Sequence, residues 1–488
     1  MSEIRNLEPK SVWCIFDDIT KIPRPSKNEE KILEYLKEFA EKHSLECQSD
    51  AKGNIVIRKA ATPGMENKEP VILQSHVDMV CEKDAAIEFD FLTDPIQTYI
   101  EDGWVKARGT TLGADCGIGM AMQLAVLSQE GVAHPAIEAL FTVDEEQGLS
   151  GAMELGEGML NYKRMINLDS EDEGEIFIGC SGGVDTVARY DVDYKKLKKC
   201  GSDYDYYTIS VGGLKGGHSG DDINKGRANA NKLLARILWM LCDEYDARIC
   251  AISGGNLRNA IARDSQAVVA IKRNLFILPG VQASFANFRD ELKAEYAVTD
   301  PEIEIDMRYG EELACTKVFG KGFSRRLLSA LLGLPNGVIA MSAEMEGLVE
   351  TSTNLASVRT NDDVVEVVTS QRSSIVSARD AVALSVASVF ELSGAEVEHS
   401  DGYVGWQPNP NSEFVKASAR LYQEMFGVEA KVKAIHAGLE CGLFLSKYPN
   451  LDIISIGPTL RDVHSPSERL EIVTLKKSWD YLLGLLSL

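Results

Sequence analysis

Pro70-Val-Ile-Leu-Gln-Ser-His76 is an apolar run of strand length that stops at a histidine. A short run of this kind, without polar alternation, is typical of strands buried on both faces in a mostly parallel sheet. Three similar pieces share its character. Ile137-Glu-Ala-Leu-Phe-Thr-Val-Asp-Glu-Glu-Gln-Gly148 runs into the paired acids Glu145 and Glu146. Ile166-Asn-Leu-Asp169 ends on an aspartate, and Leu451-Asp-Ile-Ile-Ser-Ile456 leads towards His464. Helix signals alternate with them. Gly117 to Glu130 reads as a helix stopped by Gly131, and Ser26 with Glu29 reads as a capping box ahead of Ile32, Leu36 and Phe39. Lys52-Gly-Asn54 suits a turn before the strand Ile55-Val-Ile-Arg58. A helix with Val415, Ala419, Tyr422 and Phe426 on one face ends at Gly427. This alternation predicts the α/β class: an open, mixed, mostly parallel sheet with functional residues beyond the carboxyl ends of its strands.

Between about residues 185 and 398 the pattern changes. Tyr207-Thr-Ile-Ser-Val211, Gln266-Ala-Val-Val-Ala-Ile271 and Val364-Val-Glu-Val-Val368 read as strands among helices, without clustered polar ligands. Residues 1–184 and 399–488 are therefore expected to form one catalytic domain, interrupted by an inserted α+β domain over 185–398. Asn256-Leu and Asn354-Leu each lie eight positions before an aspartate, Asp264 and Asp362, followed by a valine-rich strand. Duplication and chance similarity both fit that repeat.

With 488 residues the chain has room for two domains and substantial cores. Its formal net charge of −23 argues against nucleic acid or an anionic membrane as partner. No apolar run reaches the length of a membrane span, and the first ten residues have no signal-peptide core. The ten cysteines form no Cys-x-x-Cys pair. They read as reduced, mostly buried thiols of a cytoplasmic protein rather than as a zinc-thiolate site.

Each polar motif has a bland reading on its own. His76 and Asp78 could be a core histidine with its acidic partner, Asp115 an N-cap, and Asp169 a turn residue. Together they point to metal chemistry. The seven histidines are 43, 76, 134, 218, 399, 436 and 464, and four of them (76, 218, 436, 464) sit in glycine- or loop-flanked polar motifs. Two imidazoles and three carboxylates suffice for two zinc ions with one bridging carboxylate. Such a pair clamps a hydroxide available near neutral pH, and the Glu145-Glu146 pair offers a general base beside it.

The order His-x-Asp, Gly-Ala-Asp, Glu-Glu, Asp and a late His resembles the dinuclear-zinc aminoacylase and dipeptidase family of metallopeptidases. The strings Gln74-Ser-His-Val-Asp-Met-Val80, Gly109-Thr-Thr-Leu-Gly-Ala-Asp-Cys-Gly-Ile-Gly119, Gly216-Gly-His-Ser-Gly220 and His436-Ala-Gly-Leu-Glu-Cys-Gly442 are similar to those of its bacterial aminoacyl-histidine dipeptidases. The resemblance runs nearly end to end and implies that the inserted domain is a lid. It implies two zinc ions per subunit, replaceable by Co2+ or Mn2+. Asp115 would bridge them, His76 and Asp169 would complete one site, and Glu146 and His464 the other. Glu145 would be the general base, Asp78 would support His76, and His218 would stabilise the oxyanion. Asn259 and Arg372 would hold the substrate's C-terminal carboxylate, with His436 and Glu440 lining the pocket. The implied activity is hydrolysis of unblocked dipeptides by metal-bound hydroxide, Xaa-His and β-alanyl-histidine preferred. The family habit points to a homodimer.

Other readings remain open at this point. Arg372 could serve only a surface ion pair. A broad dipeptidase or tripeptidase, or an N-acyl amino acid deacylase, would use the same centre. A catalytically inactive peptide-binding scaffold is the alternative of another class, against which all five ligands, Glu145 and His218 are present. Gly179-Cys-Ser-Gly-Gly183 matches a Gly-x-Ser-x-Gly nucleophile elbow, yet Val184 to Tyr190 reads as a strand where that motif needs a helix. No dinucleotide fingerprint or Walker-type lysine motif occurs.

Overall fold

The computed structural model describes residues 2–197, 203–273, 279–310 and 317–488. The chain divides into two compact units. The first comprises Met1–Cys180, Trp406–Ala434 and Leu439–Leu488, and the second Ser181–Gly405 with Ile435–Gly438.

The first unit is built on an eight-stranded sheet. Its order is Glu46–Ser49, Ile55–Lys59, Ile137–Thr142, Val71–His76, Arg164–Asn167, Asp452–Ser455, Glu175–Cys180 and Lys431–Ile435. The middle four strands, from Ile137–Thr142 to Asp452–Ser455, run parallel. Ile55–Lys59 and Glu175–Cys180 join them antiparallel. Every residue of Val71–His76 and Ile137–Thr142 is buried, which explains their unbroken apolar character. Because the central strands are parallel, the chain leaves them all at the same edge. His76, the Glu145-Glu146 turn and Asp169 therefore gather at one end of the sheet.

The flanking helices follow their sequence signals, with one exception. Glu413–Phe426 is capped by the Ser412 hydroxyl and stops at Gly427, whose φ of +74° suits glycine. Glu30–Lys42 buries Ile32, Leu36 and Phe39, but the Ser26–Glu29 capping box is not made. The Ser26 hydroxyl instead donates to Asp78 Oδ2 at 2.8 Å, and the Glu29 carboxylate accepts from the Lys27 amide. A tertiary carboxylate outcompetes the local cap.

The second unit is built on one nine-stranded antiparallel sheet with an internal duplication, beside a two-stranded sheet of Tyr194–Lys196 and Lys317–Phe319. One βαββαβ copy runs through strand Tyr204–Gly212, helix Ala230–Tyr245, strands Arg248–Gly254 and Ser265–Lys272, helix Pro279–Glu295 and strand Glu304–Tyr309. The other uses strand Gly182–Asp191, helix Lys321–Gly333, strands Val349–Asn361 and Val364–Ser373, helix Val376–Leu392 and strand Glu396–His399. In each copy the fourth strand pairs with the first, the first with the third, and the third with the second. The copies join edge to edge through Ser253↔Arg359 and Gly254↔Val358. The first copy lies in sequence between the opening strand and first helix of the second. Asp264 and Asp362 do precede equivalent strands, but Asn256 sits in a loop and Asn354 inside a strand. The duplication is therefore real in topology and inexact in register. Leu233, Ile237 and Leu241 from one copy and Phe323, Leu327, Val386 and Phe390 from the other fill a common core.

Ser181 is buried and enters the strand Gly182–Asp191, so no strand–turn–helix elbow presents it as a nucleophile. Eight of the ten cysteines are described. Four are buried, three are half-buried and Cys47 is exposed, while Cys200 and Cys315 lie outside the described residues. Among the described residues, no helix is long and apolar enough to cross a membrane.

Candidate active site

In the first unit, Asp115 faces two histidines with its two oxygens. Oδ1 lies 3.3 Å from His76 Nε2 and Oδ2 lies 3.2 Å from His464 Nε2. Each histidine meets a second carboxylate: His76 Nε2 is 3.3 Å from Asp169 Oδ1, and His464 Nε2 is 3.0 Å from Glu146 Oε2. Two donors held 2.0–2.1 Å from one tetrahedral zinc ion lie roughly 3.3 Å apart. These four separations have that size. Glu146 Oε1 and Asp169 Oδ1 are buried without a hydrogen-bond partner, an arrangement a cation would relieve. The donor set of imidazoles and carboxylates thus fits two zinc-like ions sharing Asp115, with no thiolate needed. Cys116 also comes within reach of His76 and Asp169. Its Sγ donates to the Leu168 carbonyl, and burial pushes its thiol well up, so it stays a neutral thiol.

The protein's own charges show what this packing costs. Burial alone would lower His76, yet Asp169, Asp115 and Asp78 raise it well above the ordinary imidazole range. His464 is pushed up to about 11 by Asp115 and Glu146. Burial drives Asp169 up to about 6. Asp78 resists its own burial and is held down at about 2, mainly by His76. Its Oδ1 accepts the Glu145 amide at 3.0 Å and lies 3.4 Å from His76 Nδ1, while Oδ2 accepts the Glu146 amide at 3.1 Å. One carboxylate therefore orients the histidine and anchors the paired-glutamate turn. Glu145 is raised well above the normal carboxylate range by burial, with Asp169, Glu146 and Glu440 adding to the effect.

The loop carrying Asp115 is tightly built. Gly113 has φ +67°, and a Cβ there would stand 2.7 Å from the buried Arg24 guanidinium, so only glycine fits. The alternative reading of Asp115 as an N-cap is not met: its backbone is extended and its carboxylate points to the histidines. Glu468, which sequence reading did not single out, accepts the backbone N–H groups of this loop. Glu440 Oε2 accepts from Gln74 Nε2 at 2.7 Å and Thr142 Oγ1 at 2.8 Å, while Oε1 is buried without a partner. Burial pushes this carboxyl up to about 8.

His218, Asn259, Arg372 and His436 belong to the second unit, which separates His436 from Glu440. They form one polar cluster there. His218 Nδ1 accepts from the amides of Gly220 and Asp221 at 3.3 and 3.2 Å. The Asp221 carboxylate also lies 3.4 Å from Nδ1, and Nε2 has no hydrogen-bond partner among the described residues. The Ser219 amide donates to the Asn259 carbonyl at 2.8 Å, while the Asn259 side chain is exposed. Arg372 is buried, not on the surface. It donates to Tyr403 Oη at 3.0 Å and Ser219 Oγ at 3.4 Å and has no carboxylate partner among the described residues. His436 is neutral, lowered to about 4 by burial and Arg372, with Nε2 2.7 Å from Ser352 Oγ. A Cβ on Gly220 would come within 2.0 Å of the His436 carbonyl, so this glycine permits the close approach of the two histidine segments.

A mixed sheet with imidazoles and carboxylates gathered at its strand ends, followed by a duplicated antiparallel unit, defines the architecture of a metallopeptidase with a lid. The family model described as peptidase family M20/M25/M40 matches residues 72–487. The chain belongs to that family. It is 42% identical to the cytosol non-specific dipeptidase of Escherichia coli (strain K12), over all of this chain and 99% of that protein. The crystal structure of aminoacylhistidine dipeptidase from Vibrio alginolyticus is similar throughout, with TM-score 0.89, 42% identity, and 100% of this chain and 98% of that one covered. A tripeptidase from Staphylococcus aureus shares the fold at TM-score 0.56 and 16% identity, over 98% of each chain.

Proposed function

We propose that this protein is a two-zinc dipeptidase that hydrolyses unblocked dipeptides, Xaa-His and β-alanyl-histidine among them. The observation that carries the reading is Asp115, whose two oxygens each face a histidine that is itself paired with a second carboxylate. His76, Asp169 and Asp115 would hold one cation, and His464, Glu146 and Asp115 the other. When bound, the pair supplies Lewis acidity, polarising the scissile carbonyl and making water nucleophilic near neutral pH.

The chain's own residues do the rest. Glu145 takes the proton of the attacking water and returns it to the leaving amine, a task suited to a carboxylate raised above its ordinary range. Asp78 keeps His76 in orientation. His218 donates from Nε2–H to the carbonyl oxygen as it gains charge, and the two amides that meet its Nδ1 support that role. Arg372, buried without a carboxylate partner, takes the substrate's C-terminal carboxylate together with Asn259. Glu440 offers its unpartnered Oε1 to the substrate's amino end, and His436 is a further pocket residue. Residues 1–184 and 399–488 would act as the catalytic domain and 185–398 as its lid.

The names of the two 42%-identical relatives differ in breadth, one non-specific and one aminoacylhistidine. The histidine preference is thus the finest part of the proposal. A cytoplasmic location and a homodimer complete it. The test is hydrolysis by zinc-reconstituted protein of β-alanyl-histidine, Gly-His, Ala-Ala, a tripeptide and an N-acetyl amino acid, with chelated and Co2+- or Mn2+-loaded controls. Metal-dependent cleavage led by the histidine dipeptides is the expected result. Equal cleavage of all dipeptides removes the preference, cleavage of the acetylated substrate alone moves the protein to the deacylases, and no cleavage despite bound metal leaves the scaffold reading.

A further inference from the structure

Glu468 lies four residues after His464 and is 2% exposed. Its carboxylate receives the amides of another segment altogether. Oε2 accepts from Leu112 N at 2.7 Å and Gly113 N at 3.0 Å, and Oε1 accepts from Ala114 N at 2.8 Å and Asp115 N at 3.4 Å. These amides lie in the turn that leads into the helix Ala114–Ser128, where Gly113 is left-handed and Asp115 and Cys116 are not helical, so one acid satisfies N–H groups that no helix or strand takes up. Arg24 grips the same loop from its carbonyl side, donating to Gly113 O and to the carbonyls of Val77 at 2.9 Å and Asp78 at 2.6 Å. The segments bearing His76, Asp115 and His464 are thereby tied together by two buried side chains bonded to backbone groups.

We propose that Glu468 is a positioning residue: by holding the Leu112–Asp115 amides it fixes the Asp115 carboxylate between His76 and His464 and so sets the cation affinity of the centre. This rests on the two-zinc reading above. Asp115 can serve both histidines only if its Cα is held within about 0.5 Å and its χ angles within about 10–20°. A loop opened by a left-handed glycine does not provide that stiffness by itself. Glu468→Gln replaces one acceptor oxygen with an amide donor facing N–H groups, so the loop loses its anchor without loss of side-chain volume.

The test is stepwise zinc titration of apo-protein, together with the visible spectrum of the Co2+-loaded form, for wild type, Glu468→Gln and Glu138→Gln. Glu138 is an equally buried carboxylate of the same unit that instead holds Arg58 and Asn161. Folded Glu468→Gln should bind zinc about 10–100-fold more weakly and show a shifted cobalt spectrum, as loss of an outer partner does elsewhere. Glu138→Gln should lose stability only. Wild-type affinity and spectrum in Glu468→Gln, or equal losses in both variants, would overturn the proposal. If Glu468→Gln does not fold, hydrogen exchange in folded wild-type apo-protein decides: protected amides at 112–114 support the clamp, and exchange at solvent rates refutes it. Wild-type protein that binds no zinc would fail earlier, at the two-zinc reading itself.

Discussion

The two units solve the placement of polar side chains in opposite ways. In the first, parallel strands end together, and His76, Glu145, Glu146 and Asp169 hang from strand ends that the sheet has already aligned. Their carboxylates are buried, and Asp169 and Glu440 are driven up to about 6 and 8. In the second, an antiparallel sheet scatters its strand ends, and the cluster of His218, Asn259, Arg372 and His436 is assembled from turns and from the last residues of the strand Val364–Ser373. There the cluster centres on the Arg372 guanidinium, which donates to hydroxyls and has no carboxylate partner among the described residues. The contrast teaches a division of labour: the first unit concentrates negative charge suited to cations and proton transfer, and the second presents donors suited to carbonyl and carboxylate oxygens.

Four substitutions break or sharpen that division. The largest effect is expected from Glu145→Ala, which should keep its zinc by metal analysis while kcat falls about 10^2–10^4-fold. Normal turnover would take the proton carrier out of the first unit. His218→Ala should lower kcat about 10^2–10^3-fold with metal content unchanged. If zinc is lost instead, the lid histidine is doing the first unit's work. Arg372→Met should act mainly on KM, raising it roughly 10–100-fold for about 1.5–3 kcal/mol of charge-assisted bonding. A kcat effect with normal KM would reassign that arginine. Ser412→Ala removes the cap of the helix Glu413–Phe426, where Ser412 Oγ accepts from Phe414 N at 3.1 Å and Val415 N at 3.3 Å. It should cost about 1 kcal/mol of stability in thermal unfolding and leave kcat untouched.

Much of the first unit was legible in the sequence because burial on both faces leaves an unbroken apolar signature, as in Val71–His76. The capping-box signal at Ser26 misled, since Asp78, far away in sequence, claimed its hydroxyl. The repeat was faint because Asn256 and Asn354 occupy different local structure, although the copies share one strand order. Arg372 could not be told from a surface charge, because its burial depends on packing that no local pattern encodes. Glu468 gave no signal at all. An acid in Ser-Pro-Ser-Glu looks like any loop residue, and its partners are more than 350 positions away.

The sequence by itself determined the class of sheet, the order of the polar motifs and the chemistry their residue types can support, since periodicity and side-chain identity are local properties. Only the tertiary structure decided that Asp115 turns one oxygen to each histidine, that backbone amides meet His218 at Nδ1, and that Glu468 clamps the Leu112–Asp115 loop. Those are matters of distance and direction between segments remote in sequence, set by how the strands and loops pack rather than by any stretch read alone.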